Sequence, residues 1–321
     1  MKAIRIHNHG GPEVLKYEEA PLPEPGPGEA RIKLAAIGVN YIDTYHRTGL
    51  YPSSLPFTPG MEGAGTIAAL GPGESPFRPG DRVAYAMTKG SYAEYAVVPV
   101  HTLVRLPDDV DFRLGAAVML QGLTAHYLTH STYPLKEGDT VLLHAAGGAT
   151  GLLLTQMAKR LGATVYGTAS SDEKLRLARE AGADVVIRYT DVDFEEEVKR
   201  LTDGTGVDVV YDSVGKATFE KSLNCLKTRG YLVLFGQSSG AVEPVRPTIL
   251  AAKSLYLTRP VLSHYVQHRA ELEQRSRDLF SWLADGSLHV RIGLELPLSE
   301  AQEAHQRLQD RSRVGKILLI P

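Results

Sequence analysis

The sequence predicts a two-part α/β protein: a β-rich, barrel-like domain, and a doubly wound domain built on one parallel sheet of six strands. Three observations predict it. Residues 2–98 hold several short strand-like runs cut by Gly/Pro turns, among them Gly71-Pro72-Gly73, Pro79-Gly80 and Lys89-Gly90. From Thr140 onward, apolar runs alternate with helical patterns. At the first crossover, Thr140 to Asp172, a Gly-rich turn joins a strand to a helix. The β-rich domain is expected over residues 1–122 and 262–321, and the doubly wound domain over 123–261.

Taken in order, residues 2–7 alternate apolar and polar and read as a strand. Gly10-Gly11-Pro12 is a turn, and the Pro-rich stretch from Pro21 to Gly28 is a loop. Ala30 to Val39 is a strand. The polar and aromatic stretch Asn40–Pro52 is placed outside the core. Strands follow at Gly65–Leu70, Arg82–Ala86 and Tyr92–Val98. Asp108-Asp109 is a candidate helix cap before an apolar run to Leu120, which Gln121-Gly122 interrupts before a second helix from Leu123. Strands are then expected near 140–144, 164–168, 184–188, 207–212, 231–235 and 255–259. Helices are expected near 152–161, 172–181, 193–202, 217–228 and 247–253. Ala270 to Ala284 is a further helix, and Gly315 to Ile320 a short strand returning to the first domain.

The turn Ala146-Gly147-Gly148-Ala149-Thr150-Gly151 fits G-x-G-x-x-G with Ala146 at the first glycine. Gly148 lets the backbone approach a pyrophosphate, and Gly151 lets the helix pack on the strand. The first N–H groups of that helix, at its positive end, face an anion. A tight turn that binds nothing is the competing reading. The second strand ends in Tyr166-Gly167-Thr168-Ala169-Ser170-Ser171, with hydroxyls and no acid to hold a ribose 2′-OH. Ser171 and Asp172 read as the cap of the next helix, and Lys174 lies in its first turn, where a cation opposes the helix dipole. A bound 2′-phosphate offsets that opposition, so NADPH is predicted over NADH; an ordinary solvated lysine is the alternative.

Composition sets limits. The formal net charge is −2, and no basic stripe is present, so no nucleic-acid partner is expected. Cys225 is the only cysteine, which excludes an intrachain disulfide and a Cys-based zinc site. No His/Asp cluster at metal spacing replaces it, and no metal is predicted. Met1–His7 has no signal-peptide apolar region and no run is long enough to cross a bilayer, so a cytoplasmic protein is expected. The eleven histidines show no paired spacing, and His144 reads as a structural hydrogen-bonder.

Over its whole length the chain resembles the medium-chain dehydrogenase/reductase family, and most closely its zinc-free NADPH:quinone oxidoreductases, the zeta-crystallin-like group. The resemblance is carried by Gly38–Pro52, Gln121-Gly122-Leu123-Thr124-Ala125, His144–Gly151, Tyr211-Asp212-Ser213-Val214-Gly215 and Phe235-Gly236-Gln237-Ser238-Ser239-Gly240. One departure is Gly147-Gly148-Ala149-Thr150, where these reductases usually carry Ala-Gly-Gly-Val. The resemblance implies a GroES-like barrel and a Rossmann domain. It implies that Ser170, Lys174 and Tyr189 hold the 2′-phosphate, with Arg313 adding charge. Gly148, Ala149 and Thr150 would lie on the pyrophosphate, within a turn running from Ala146 through Gly147 to Gly151. Thr124 would contact the nicotinamide ribose, the Phe235-Gly236-Gln237-Ser238-Ser239 loop would line the nicotinamide, and Tyr41 and Ser213 would complete the cofactor site. The edge strand Leu255–Arg259 would pair with its twin in a homodimer.

A quinone is already electron-poor and needs less polarisation than an alcohol carbonyl, which suits a site without zinc. The protein must position the reactants and offer a donor to the developing oxygen charge. The catalytic candidates are Asn40, Tyr45, Tyr51 and Gln121. Tyr51 before Pro52 is alternatively a packing residue, and Asp43 a simple helix cap. A 2-enoyl or α,β-unsaturated carbonyl reductase is the nearest rival within the fold. A non-catalytic NADPH-binding role, crystallin-like or RNA-binding, is the rival outside it.

Overall fold

The computed structural model describes residues 1–310 and 314–321. The chain divides into two compact units, Met1–Leu123 with Tyr265–Pro321, and Thr124–His264.

In the first unit, β1 (Lys2–Arg5) pairs antiparallel with β2 (Lys16–Glu19). β3 (Glu29–Val39) buries Ala30, Ile32, Leu34 and Ala36 on one face, the period of two that a strand imposes. The short helix α1 (Tyr41–Arg47) follows directly. Next come β4 (Glu62–Leu70), β5 (Arg82–Ala86), β6 (Tyr95–Pro99) and β7 (Val104–Arg105). Placing Asn40–Pro52 outside the core is wrong for α1. Asp43, Thr44, His46 and Arg47 are all buried; Asp43 and Arg47 meet partners distant in sequence, and Thr44 and His46 meet the nearby Tyr41 O and Ser53 Oγ.

Two further expectations are corrected at α2 (Phe112–Tyr127), which runs unbroken through Gln121 and Gly122. A Cβ at Gly122 would lie 2.8 Å from Val118 Cγ2 and 3.1 Å from Leu279 Cδ1, so this glycine answers a close approach and not a break. The cap is Asp111, whose Oδ1 accepts from Leu114 N at 2.7 Å, and not Asp108-Asp109. A π-helical turn, Leu128–Thr132, continues α2. It places His130 one turn after His126, and the rings stack at 4.2 Å; the histidines do therefore pair once.

The second unit is a crossover fold. Its elements are β8 (Thr140–Leu143), α3 (Ala149–Arg160), β9 (Thr164–Ala169), α4 (Asp172–Glu180), β10 (Val185–Arg188), α5 (Phe194–Leu201), β11 (Val207–Asp212), α6 (Phe219–Asn224), β12 (Leu226–Leu234) and β13 (Tyr256–Thr258). All strand pairs are parallel, in the order β10-β9-β8-β11-β12-β13. The sheet is six-stranded and doubly wound, with β8 and β11 at its centre, where the strand order reverses. β11 is buried at every residue, as a strand covered on both faces must be. The segment Pro247–Lys253 is a 3₁₀ helix.

α7 (Leu262–Tyr265) leads the chain back to the first unit, where α8 (Arg269–Ala284), β14 (Ile292–Pro297), α9 (Ala301–Gln309) and β15 (Lys316–Ile320) complete it. β15 lies between β14 and β3, giving a sheet ordered β14-β15-β3-β4-β5-β7, with β6 also on β3. Ile32, Ile37, Val83, Tyr85, Leu103, Ile317 and Leu319 belong to the core this sheet encloses. Among the described residues, no helix is long and apolar enough to cross a membrane.

Candidate functional site

The Gly-rich turn of the second unit shows why each of its small residues is there. Ala145, between β8 and α3, takes a left-handed φ of 55°. Ala146 is fully buried and donates its N–H to Thr168 O at 3.0 Å. Its Cβ fills the space that Gly167 leaves: a Cβ on Gly167 would stand 2.7 Å from it. Alanine at the first position of the motif is thus matched by glycine on β9. A Cβ on Gly147 would fall 2.5 Å from Lys174 Cβ and 2.7 Å from Lys174 O, which sets the turn directly against the first turn of α4. A Cβ on Gly151 would lie 2.3 Å from Ala145 O, so only glycine lets α3 start this close to the turn. Gly148, the N-cap of α3, meets only Ala145 O, at 3.2 Å, and its neighbours Ala149 and Thr150 are half-buried. The helix begins without a side-chain cap, leaving its first N–H groups and its positive end for an anion.

At the far end of β9, Ser170 and Lys174 are half-buried and Tyr189 is exposed. Ser171 caps α4, accepting from Lys174 N at 3.4 Å. Asp172 turns instead to Arg188, at 3.0 Å. The structure brings the glycine turn and Lys174 together. Arg313 lies outside the described residues.

Ser213, Phe235, Gly236 and Ser238 are drawn together by two parallel loops. Phe235 N donates to Asp212 O at 2.8 Å and Ser238 N to Ser213 O at 3.2 Å, and a Cβ on Gly236 would meet Ser213 O at 2.6 Å. Asp212, buried at the end of β11, organises them. Its Oδ1 accepts from Val214 N at 2.7 Å and Gly215 N at 3.0 Å, and its Oδ2 from Thr218 Oγ1 at 2.7 Å and Ser222 Oγ at 3.1 Å. With that hydrogen given to Asp212, Ser222 Oγ receives one from His144 Nε2 at 3.0 Å, while His144 Nδ1 meets Thr168 Oγ1 at 3.0 Å. Burial holds His144 below its ordinary pKa, so it stays a neutral hydrogen-bonder. Thr124 is half-buried near the end of α2.

The first unit carries the catalytic candidates. Asn40 is the N-cap of α1, and its N–H donates to Asp43 Oδ2 at 2.8 Å. Its side-chain amide lies between Glu62, at 2.8 Å, and Lys316, at 2.8 Å. Lys316 Nζ also donates to Glu62 Oε2 at 2.5 Å, and both side chains are wholly buried. Glu62 Oε1 accepts from Leu120 N at 2.6 Å. Gln121 Nε2 reaches Asn40 Oδ1 at 3.4 Å. Tyr45 and Tyr51, half-buried, tilt against each other with ring centroids 5.3 Å apart, and Tyr51 N donates to Tyr45 O at 3.0 Å. Tyr41 is the exposed first residue of α1. Asn40 and Gln121 therefore form one group, and Tyr45 and Tyr51 another.

Behind Asn40 runs a buried polar wire with a definite direction. Arg47 Nη1 can only donate, so at 3.0 Å it fixes His305 Nδ1 as an acceptor. His305 Nε2 then donates to Tyr92 Oη at 3.0 Å, and Tyr92 donates to Asp43 Oδ2 at 3.0 Å. Burial, aided by the Arg47 charge, holds His305 down at about 3, and so keeps it neutral. Burial raises the Asp43 carboxyl to about 7 against these hydrogen bonds, which favour its charged form. Sequence reasoning missed Glu62, Tyr92, His305 and Lys316. A signal was present in two of them: Glu62 stands in a Gly/Ala-rich strand and Lys316 heads an apolar one, and a lone charge in such a run must find a partner.

Residues 26–108 match the alcohol dehydrogenase GroES-like domain family, and residues 149–281 the zinc-binding dehydrogenase family. The chain is 47% identical to a quinone oxidoreductase of Pseudomonas aeruginosa, covering 100% of this chain and 99% of the relative. It is 44% identical to quinone oxidoreductase 1 of Escherichia coli, over 99% of both. It is 42% identical to a 2-haloacrylate reductase of a Burkholderia species, over 100% and 99%. Among solved structures, it is similar to the Escherichia coli quinone oxidoreductase complexed with NADPH, with a TM-score of 0.98 at 44% identity and full coverage of both chains. A mycobacterial protein complexed with NADPH gives 0.97 at 47% identity, again over the whole of both. On this similarity the chain belongs to the medium-chain dehydrogenase/reductase family, in its quinone oxidoreductase group.

Proposed function

We propose that the protein is an NADPH-dependent oxidoreductase that passes reducing equivalents to quinones. The observation that carries this is the uncapped, Gly-rich start of α3 at Gly147–Gly151, with Lys174 packed against it, in a chain whose relatives are quinone oxidoreductases. The turn and Thr124 would hold the pyrophosphate and ribose, Ser170, Lys174 and Tyr189 the 2′-phosphate, and Ser213, Phe235, Gly236, Ser238 and Tyr41 the remainder. NADPH supplies the hydride; the chain's own groups bind, orient and exclude water. Asn40, Tyr45, Tyr51 and Gln121 are assigned to the substrate side.

The proposal extends to chemistry without metal. Glu62, the acid facing Asn40, is neutralised by Lys316, and Asn40 and Gln121 are amides, poor ligands for zinc. It extends also to a homodimer through β13, an edge strand paired, among the described residues, with β12 alone, with Tyr256 half exposed on it. Light scattering of Leu257→Pro tests this: a monomer is expected, and an unchanged mass refutes it. A cytoplasmic location, tested by cell fractionation, completes the proposal.

The decisive experiment follows NADPH absorbance on adding an ortho-quinone, with NADH and a 2-enone in parallel. Loss with NADPH and quinone is expected. The 2-haloacrylate reductase at 42% identity favours one second reading, an α,β-unsaturated carbonyl reductase, which turnover of the enone alone would establish in place of the first.

A further inference from the structure

Four side chains of the first unit dictate one another's polarity. Lys316 Nζ carries only donors, so the Asn40 atom 2.8 Å from it is the amide oxygen. Glu62 Oε2 accepts from that same ammonium, so the Asn40 atom 2.8 Å from it is the amide nitrogen. The second N–H of that nitrogen goes to Gly38 O at 3.2 Å. Gly38 itself makes the room, since a Cβ there would lie 2.2 Å from Glu62 Oε2. Both N–H groups of Asn40 are thus spent inward, and its oxygen faces Lys316 and Gln121. The Gln121 atom that meets this oxygen, at 3.4 Å, is then its nitrogen. Its carbonyl oxygen is left buried, with no partner among the described residues. A buried acceptor of this kind is costly unless a ligand or an ordered water satisfies it.

We propose that Lys316 is a positioning residue: through Asn40 it sets the Gln121 amide with its carbonyl oxygen aimed to accept a hydrogen bond from an O–H or N–H donor on a bound ligand. Asn40, a donor candidate in the sequence, has no N–H left for substrate, and its part on the substrate side is that of a relay. The ligand chemistry is a hydroxyl, as on a hydroquinone product, or the carboxamide N–H of NADPH. This role rests on the oxidoreductase reading above. The Lys316 side chain is wholly buried, and its pair with Glu62 is not explained by stability alone, because apolar groups of similar volume often serve a core as well.

Lys316→Met and the double variant Glu62→Gln/Lys316→Met separate positioning from folding. The single variant strands a buried carboxylate and is expected to melt lower; the double variant removes both charges and is expected to recover its Tm. Turnover with the quinone is expected to stay at least tenfold below the parent in the double variant. Unchanged NADPH affinity, by nicotinamide fluorescence, then assigns the donor to the quinone or its product. A parallel tenfold loss of NADPH affinity assigns it to the carboxamide. Turnover that returns together with Tm overturns the proposal and makes the pair purely structural. A readout independent of activity is the side-chain amide of Asn40, observed by ¹⁵N NMR on the whole protein. Its two N–H signals are expected to be protected from solvent exchange in the parent and exposed in the double variant; equal protection in both refutes the relay. A parent that turns over no quinone would sink the functional reading while leaving this last test intact.

Discussion

Replacing Lys174 by alanine should weaken NADPH and spare NADH. Lys174 is half-buried, in the first turn of α4, with its backbone N–H on Ser171 Oγ and its Cβ against Gly147. Two unit charges 4 Å apart are worth about 1 kcal/mol in water and about 4 kcal/mol at an effective dielectric near 20. A half-buried ammonium beside a 2′-phosphate falls between, at roughly 1–3 kcal/mol, or about 5- to 150-fold in binding. NADH carries a hydroxyl there and should change less than about twofold. Initial rates give KM for both cofactors, and fluorescence titration gives Kd. The NADPH loss should also shrink as salt is raised from 0.05 to 0.5 M, because the Debye length falls from above 10 Å toward a few ångströms. Equal losses for both cofactors would mean that Lys174 supports the fold of the turn and not the phosphate. No loss for either would remove the charge argument altogether.

Three further outcomes are expected. Asp43, raised from 3.8 to about 7, holds its proton more tightly folded than unfolded. Its contribution to stability is complete below about 4 and is lost as pH rises through about 7, on the order of 4 kcal/mol. Urea midpoints at pH 5 and 8 should fall more for the parent than for Asp43→Asn; equal slopes refute it. Cys225, buried and pushed up to about 12 from 9, should ignore a thiol reagent at pH 8 and react once the chain is unfolded; fast labelling of the native chain refutes it. Gly151→Ala sets a Cβ 2.3 Å from the backbone oxygen of Ala145, which cannot swing away as a side chain would. Roughly 1–3 kcal/mol of stability should be lost, with weaker NADPH binding, both read in one thermal melt with and without cofactor.

The alternation of strands and helices after Thr140, the tight Gly-rich turn and the cap at Ser171 were legible in the sequence, because each depends on residues close together in the chain. Period-two and helical patterns, a glycine that lets backbones approach, and a hydroxyl at a helix start all act over a few residues. The sequence went astray where distant residues decided. Gln121-Gly122 resembles a break, yet α8 packs on Gly122 and needs no side chain there. Asn40–Pro52 looks like surface, yet Arg47 is satisfied by His305, 258 residues away. The polarity of Asn40 is set by Lys316, 276 residues on, and Glu62, 22 residues on. Local chemistry determined the elements and the Gly-rich turn. Only the tertiary structure decided which buried charges meet, because a buried ion or amide takes its partner from whatever the fold brings within hydrogen-bond reach, whatever the separation along the chain.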